Sequence, residues 1–275
     1  MQAPTTTMTD GHELPLLGLG TYPMDDSEAA EAVRGALDVG YRLIDTAASY
    51  GNEAGVGQGI ATSDVPRDEI VVTTKLRGEH QGYEATLRAF AQSRERLGLE
   101  YVDLYLIHWP LPRLDLYVDS WKAMIQLRDD GLVNSLGVSN FTPEQIARLV
   151  DETGVGPVVN QIELHPHFVQ ESMRAYDAEQ GIVTEGWQPL ARKTDLLAQA
   201  DLAEIAEQHS VTPGQVVLRW HVQSGVVPIP KSSSPQRQRE NLDVFGFTLS
   251  ESEMARVADR PQARSGGDPD THEEF

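Results

Sequence analysis

Eight short apolar runs rich in β-branched residues recur along this chain: LLGLG (16–20), YRLID (41–45), IVVTT (70–74), DLYLIH (103–108), NSLGVS (134–139), VVNQIE (158–163), IVTEGW (182–187) and GVVPIP (225–230). They are apolar nearly throughout, the pattern of parallel strands covered on both faces. Stretches of helical period separate them, and the strand ends recur roughly every 25–35 residues, the length of one βα unit. Parallel neighbours need right-handed crossovers, and eight such units predict an α/β fold of the (β/α)8 TIM-barrel type. A length of 275 residues fits one such barrel, so a single domain over 1–275 is expected.

Caps support the helical segments. Thr142-Pro143-Glu144-Gln145 and Thr212-Pro213-Gly214-Gln215 each read as N-cap, proline at N1 and a glutamine three residues after the cap. Ser250-Glu251-Ser252-Glu253 is another capping box, and Gly40, Gly131 and Gly154 follow periodic runs as C-terminal stops. After Tyr117, Trp121, Met124 and Ile125 form an inward face. An extra helix at 201–208 is expected before the one at 212–223, and Asp10-Gly11 is placed to turn an N-terminal hairpin.

Twenty-two basic residues against 42 acidic ones give a net charge of −20, which repels polyanions and argues against nucleic acid or an anionic membrane as partner. No run approaches the ~20 apolar residues of a membrane span. The start MQAPTTTMTD lacks the basic and apolar regions of a secretory signal, so the expected location is cytoplasmic. No exposed apolar stripe argues for assembly, and a monomer is expected. With no cysteine, thiol nucleophiles, dithiols and zinc–thiolate sites are excluded.

The informative residues stand where each run ends. Asp45 closes the second, with Tyr50 in the loop beyond; Lys75 follows the third and His108 closes the fourth. Ser139-Asn140 end the fifth, Gln161 and Glu163 the sixth, Trp187 the seventh, and Lys231-Ser232 follow the eighth. A barrel brings all these ends to one face, the face that carries chemistry. Each residue taken singly has a plainer reading. Asp45 can tie a turn, Lys75 can snorkel to solvent, His108 can be structural and Tyr50 can be packing. Their convergence on one rim is what argues for a site.

Tyr50, Lys75, Asp45 and His108 suit protonation of an oxygen. Tyrosine has an ordinary pKa of ~10, and a neighbouring ammonium favours its phenolate; an aspartate paired to that ammonium keeps it charged and in place. A histidine can donate to a carbonyl oxygen and orient it. The species that attacks the carbon then has to come from a cofactor, and hydride fits.

The segments GYRLIDTAASYGNEAGVGQGI (40–60), VVTTKL (71–76), DLYLIHWP (103–110), GVSNF (137–141), NQIELHP (160–166) and IPKSSSPQRQRENLDVF (229–245) resemble the aldo-keto reductase family, in particular its bacterial branch related to diketogluconate reductases. The resemblance runs from about residue 9 to 260. It implies a barrel that binds NADPH and reduces aldehydes, ketones or dicarbonyls. Tyr50 is then the proton donor, Lys75 and Asp45 its tuning pair, and His108 the residue that orients the carbonyl. It further implies that Ser139, Asn140 and Gln161 hold the nicotinamide carboxamide and that Trp187 stacks on the ring. Gln188 and Leu190 then lie along the cofactor, Lys231, Ser232 and Arg237 surround the adenosine 2′-phosphate, and Glu240 and Asn241 lie near the adenine. Tyr22 and Trp109, with His108, are candidate walls of the substrate pocket.

The phosphate assignment has separate support, because Ser234-Pro235 opens a helix and Lys231 and Arg237 flank that opening in an acidic chain. NADPH is therefore expected over NADH. The chain departs from many relatives at QPLARK (188–193), where Arg192 and Lys193 either reach the phosphates or face water, and at Arg77, where an aromatic is common. The tail 264–275 is expected over the pocket, although its composition fits a mobile end equally well. Gly55-Val56-Gly57-Gln58-Gly59-Ile60 falls short of GxGxxG and reads as close helix packing; Gly137–Phe141 falls short of GxSxG. His165-Pro166-His167 lacks a third metal ligand, so no metal is expected. The alternative function is a nicotinamide-nucleotide sensor with little turnover.

Overall fold

The computed structural model describes residues 2–274. Strands β1 (Thr5–Thr7) and β2 (Glu13–Pro15) pair antiparallel with Thr6 opposite Leu14. Gly11 takes a left-handed φ of +91° in the turn between them, a conformation that glycine adopts without steric cost. The Asp10-Gly11 hairpin is thus present.

The chain then alternates as expected. The order is β3 (Leu19–Gly20), α1 (Asp26–Val39), β4 (Leu43–Asp45), α2 (Glu53–Ala61), β5 (Val71–Leu76), α3 (Tyr83–Leu97), β6 (Val102–Ile107), α4 (Tyr117–Asp129) and β7 (Val133–Ser139). It continues with α5 (Pro143–Thr153), β8 (Val159–Glu163), α6 (Glu171–Glu179), β9 (Val183–Trp187), α7 (Ala200–His209), α8 (Pro213–Gln223), β10 (Val226–Ile229), α9 (Pro235–Leu242) and α10 (Glu251–Ala258). Strands β3 to β10 form one parallel sheet in chain order. Gly18 N–H donates to Pro228 O and Gly20 N–H to Pro230 O, both at 3.1 Å, which brings the two edges together into a barrel. The first strand is shorter than its apolar run because Leu16 N–H is taken by Pro4 O, beside the hairpin.

Each barrel strand turns alternate residues inward. Leu43, Leu104, Leu106, Val159, Val227 and Ile229 form one buried cluster inside the barrel, and Met8 and Leu14 of the hairpin belong to it, sealing one end. The larger core lies between strands and helices and includes Trp121 and Met124 of α4. Thr142, Thr212 and Ser250 all form capping boxes, and Gly40 and Gly154 close their helices in left-handed conformation.

The glycines of α2 set helix spacing. A Cβ at Gly55 or Gly59 would run into the backbone of α1, and one at Gly57 into the Leu97 carbonyl that ends α3. The GxGxG run is therefore a close-packing device, as its position after a strand implied. Overpacking against backbone costs ~1–3 kcal/mol, offset by up to ~1 kcal/mol of helix propensity. Gly57→Ala is expected to lower stability by about 2 kcal/mol, whereas Gly246→Ala, where nothing lies within 4 Å, leaves it nearly unchanged. Urea denaturation of the two variants beside the parent checks this.

Candidate active site

The polar strand ends meet as their positions implied. In the sheet register Asp45 of β4 stands opposite Thr73 of β5, so Lys75 rises one pleat above it on the same inward face. Lys75 is fully buried, and its ammonium donates to both Asp45 carboxylate oxygens at 2.7 Å and to Thr46 O at 2.9 Å. The Tyr50 hydroxyl lies 3.5 Å from the same nitrogen. Tyr50 ends a short 3-10 turn, Ala48–Tyr50, and Asn52 pins the loop: its amide donates to Thr21 O and Met24 O, and its oxygen accepts from Thr46 Oγ1.

Burial disfavours the Lys75 ammonium, but Asp45 and Tyr50 outweigh it and hold the group above its ordinary value. Tyr50 differs from expectation. Burial pushes its phenol up to about 12, more than Lys75 pulls it down, with Asp45 adding to the rise. The phenol is only partly shielded from solvent, which softens that shift. In the free protein Tyr50 is therefore a neutral phenol that keeps its proton, with an ammonium already placed for the phenolate.

His108 follows β6, and its ring lies edge-on to Tyr50 with centroids 5.8 Å apart. Tyr22 is more than half exposed and packs 5.1 Å from the Tyr50 ring. Trp109 is buried, with His272 of the tail 3.9 Å above it. Tyr22 thus stands beside Tyr50, and the tail lies against Trp109 and His108. Ser265 and Gly266 N–H groups donate to the buried carboxylate of Glu163, and Glu274 reaches His108 Nδ1 at 2.7 Å.

The residues expected to hold a dinucleotide form two groups. Ser139 donates to Gln161 O at 2.7 Å, and Asn140, in left-handed conformation, accepts from Trp187 Nε1 at 2.9 Å. The Gln161 amide nitrogen donates to both Asp45 and Glu185, leaving its carbonyl oxygen for another partner. The second group surrounds the start of α9. Ser234 caps it, Ser232 Oγ accepts from Ser234 N–H, and Lys231 meets Glu28 and Ser233 at 3.0 and 3.2 Å. Arg237 is exposed and forms no ion pair among the described residues; Glu240 and Asn241 lie further along α9. Of the loop after β9, Gln188 is left-handed, Leu190 packs on the core and Arg192 lies 6.0 Å from the Tyr22 ring. Arg77 pairs with Glu79. Among the described residues no cluster of His, Asp and Glu is arranged for a metal, and no helix is long and apolar enough to cross a membrane.

These residues fit a dinucleotide by the chemistry of their donors: amide and hydroxyl groups with an indole at one end, two cations with a helix start at the other. A barrel with a buried Lys–Asp pair beside a tyrosine and a histidine is the arrangement expected of a carbonyl-reducing oxidoreductase. The chain matches the aldo/keto reductase family over residues 16–260 and belongs to it. It is 49% identical to 2,5-diketo-D-gluconic acid reductase B of Corynebacterium sp. (strain SHS752001) over 273 residues, 99% of each chain. It is 45% identical to methylglyoxal reductase DkgA of Escherichia coli (strain K12) over 265 residues, 96% of each. A solved Gox0644 variant in complex with NADPH superposes with a TM-score of 0.94 at 45% identity, covering 99% of this chain and 100% of that one.

Four acidic or hydroxyl side chains were not assigned roles from sequence: Ser49, Glu163, Glu185 and Glu274. Glu185 lies fully buried beneath the site, and burial together with the Asp45 charge pushes its carboxyl from 4.5 up to about 8. A carboxyl raised in the folded state contributes stability that is whole below its unfolded pKa and is lost as pH rises toward the folded value. For Glu185 that window runs from about 4.5 to about 8. Glu185→Gln is expected to lose less stability than the parent between pH 5 and pH 9. Thermal melts of both proteins across that range check it.

Proposed function

We propose that this protein uses NADPH to reduce the carbonyl group of a small aldehyde, ketone or dicarbonyl to an alcohol, with Tyr50 giving the proton. Bound NADPH supplies hydride to the carbonyl carbon. Tyr50 passes its phenolic proton to the carbonyl oxygen, and the phenolate left behind meets the Lys75 ammonium 3.5 Å away. Asp45 keeps that ammonium in place before and after the transfer. His108 orients the oxygen, while Tyr22 and Trp109 exclude water from the reacting end. Ser139, Asn140 and Gln161 hold the carboxamide, with Trp187 against the ring and Gln188 and Leu190 alongside. Lys231, Ser232 and Arg237 receive the 2′-phosphate, and Glu240 and Asn241 lie by the adenine. The observation that carries this reading is the buried ammonium held between Asp45 and Tyr50.

Positioned proton transfer contributes ~10²–10⁴-fold. Tyr50→Phe is expected to lower carbonyl-dependent NADPH oxidation by about that factor while binding NADPH as tightly as the parent, measured by fluorescence titration. Near-normal turnover in this variant would assign the proton donor elsewhere. Tight NADPH binding by the parent with no turnover across aldehydes, ketones and dicarbonyls would favour a sensor. Replacing Lys231 and Arg237 together by alanine is expected to weaken NADPH binding by at least about tenfold, since each charge-assisted hydrogen bond contributes ~1.5–3 kcal/mol. NADH binding should change little in the same titration.

A further inference from the structure

Glu163 and Trp187 stand opposite each other in the parallel register of β8 and β9, one pleat above Gln161 and Glu185, and so share the inward face of the rim. The start of the tail is fastened to them. Glu163 accepts from Ser265 N–H at 2.7 Å, from the Ser265 hydroxyl and from Gly266 N–H at 2.8 Å, with His165 Nε2 3.0 Å away. Burial pushes the Glu163 carboxyl up, but these contacts outweigh it and bring it down to about 2. The same anchoring sets Gly266 against the outer edge of the indole. A Cβ at Gly266 would run into Trp187 Cη2, and would stand 3.3 Å from Cζ3 and 3.0 Å from Glu163 Oε2. Gly266 lies outside the left-handed region, so its neighbours, and not its backbone, are what exclude a side chain.

The other end of the half-buried indole is tied as well, since Nε1 donates to Asn140 Oδ1 at 2.9 Å. Asn140 is itself fixed through Nδ2, which donates to His108 O and Ser139 Oγ, both at 3.0 Å. The rigid bicycle is thus held at its nitrogen by a residue that follows β7 and at its benzo edge by the tail. We propose that Gly266 is a positioning residue for the cofactor: held by Glu163, it forms a backstop that fixes the plane of Trp187 on which the nicotinamide ring stacks. A side chain at 266 is relieved either by tilting the indole off Asn140 or by lifting the tail off Glu163. Either movement removes the backstop. The inference rests on the NADPH reading above.

Gly266→Ala is expected to weaken NADPH binding about fivefold, the scale of one misplaced aromatic stack, in a titration that follows NADPH fluorescence. Adenosine 2′,5′-bisphosphate, which carries the phosphate end without nicotinamide, should bind parent and variant alike. Trp187→Phe removes the ring atoms that Gly266 meets, so adding Gly266→Ala to it should weaken NADPH no further. In ¹H–¹⁵N spectra the Trp187 indole N–H, identified by its loss in Trp187→Phe, should shift in Gly266→Ala while the other indole signals stay. An unchanged Kd for NADPH in Gly266→Ala overturns the proposal, as does an equal loss for NADPH and the bisphosphate. The same loss in the Trp187→Phe background, or an unmoved Trp187 signal, overturns it too. A parent that binds neither ligand strikes the NADPH reading instead, and the indole spectra, which need no ligand, still decide whether Gly266 holds the ring.

Discussion

Lys75 carries an ammonium where no water reaches it, and much of the site is arranged around that fact. The effective penalty for burying one ion is several kcal/mol, and removing one partner of a buried pair costs ~3–5 kcal/mol. Asp45 is therefore obligatory, as is the Thr46 carbonyl that takes another of the three ammonium protons. Asp45 then fixes Gln161 through its amide nitrogen, and Gln161 fixes Glu185. Two carboxyls drawn to one amide cannot both ionise cheaply, so Glu185 is the one that burial and the Asp45 charge keep protonated. The state of Tyr50 follows from the same arrangement: a phenol that keeps its proton, facing a charge that favours its anion.

The barrel explains why such an arrangement is attainable. Parallel strands in register hold Asp45, Lys75, Ser139 and Gln161 on inward-facing positions of one rim, each on a strand that pairs with a neighbour on either side. Side chains on strands lose less precision than side chains on loops. Tyr50 and His108, which stand just outside their strands, depend on other supports: the Asn52 clamp for the one, and Ser49 with the tail for the other.

Much of this was legible in the residues. A Lys ending an apolar strand has to be paired, and a polar type at the end of each of eight parallel runs has to lie on one face. The strands, hairpin, extra helix and glycine packing of α2 follow from period, caps and spacing. The tail was not legible, because RSGGDPDTHEEF suits a mobile end as well as an ordered one. What orders it is Glu163, about a hundred positions earlier, whose need for donors at the end of β8 appears only in three dimensions. Glu185 was hidden because one acidic residue in a strand says nothing about its protonation. The Tyr50 shift ran opposite to expectation because sequence names the ammonium but not the depth of burial that competes with it.

The basic cluster at the start of α9, where we propose that the 2′-phosphate sits, bears on how quickly a dinucleotide would find its place. Lys231 and Arg237 are a small positive island on a molecule of net charge −20, and Glu28 already leans on one of them. Beyond the ~8–10 Å Debye length an anionic ligand feels mainly the negative whole, and only inside it the island. Added salt screens the outer repulsion and weakens the inner attraction together. With the phosphate at that island, the encounter rate would gain from ionic strength while the lifetime of the complex would shorten, so that the two components of affinity would carry opposite salt dependences.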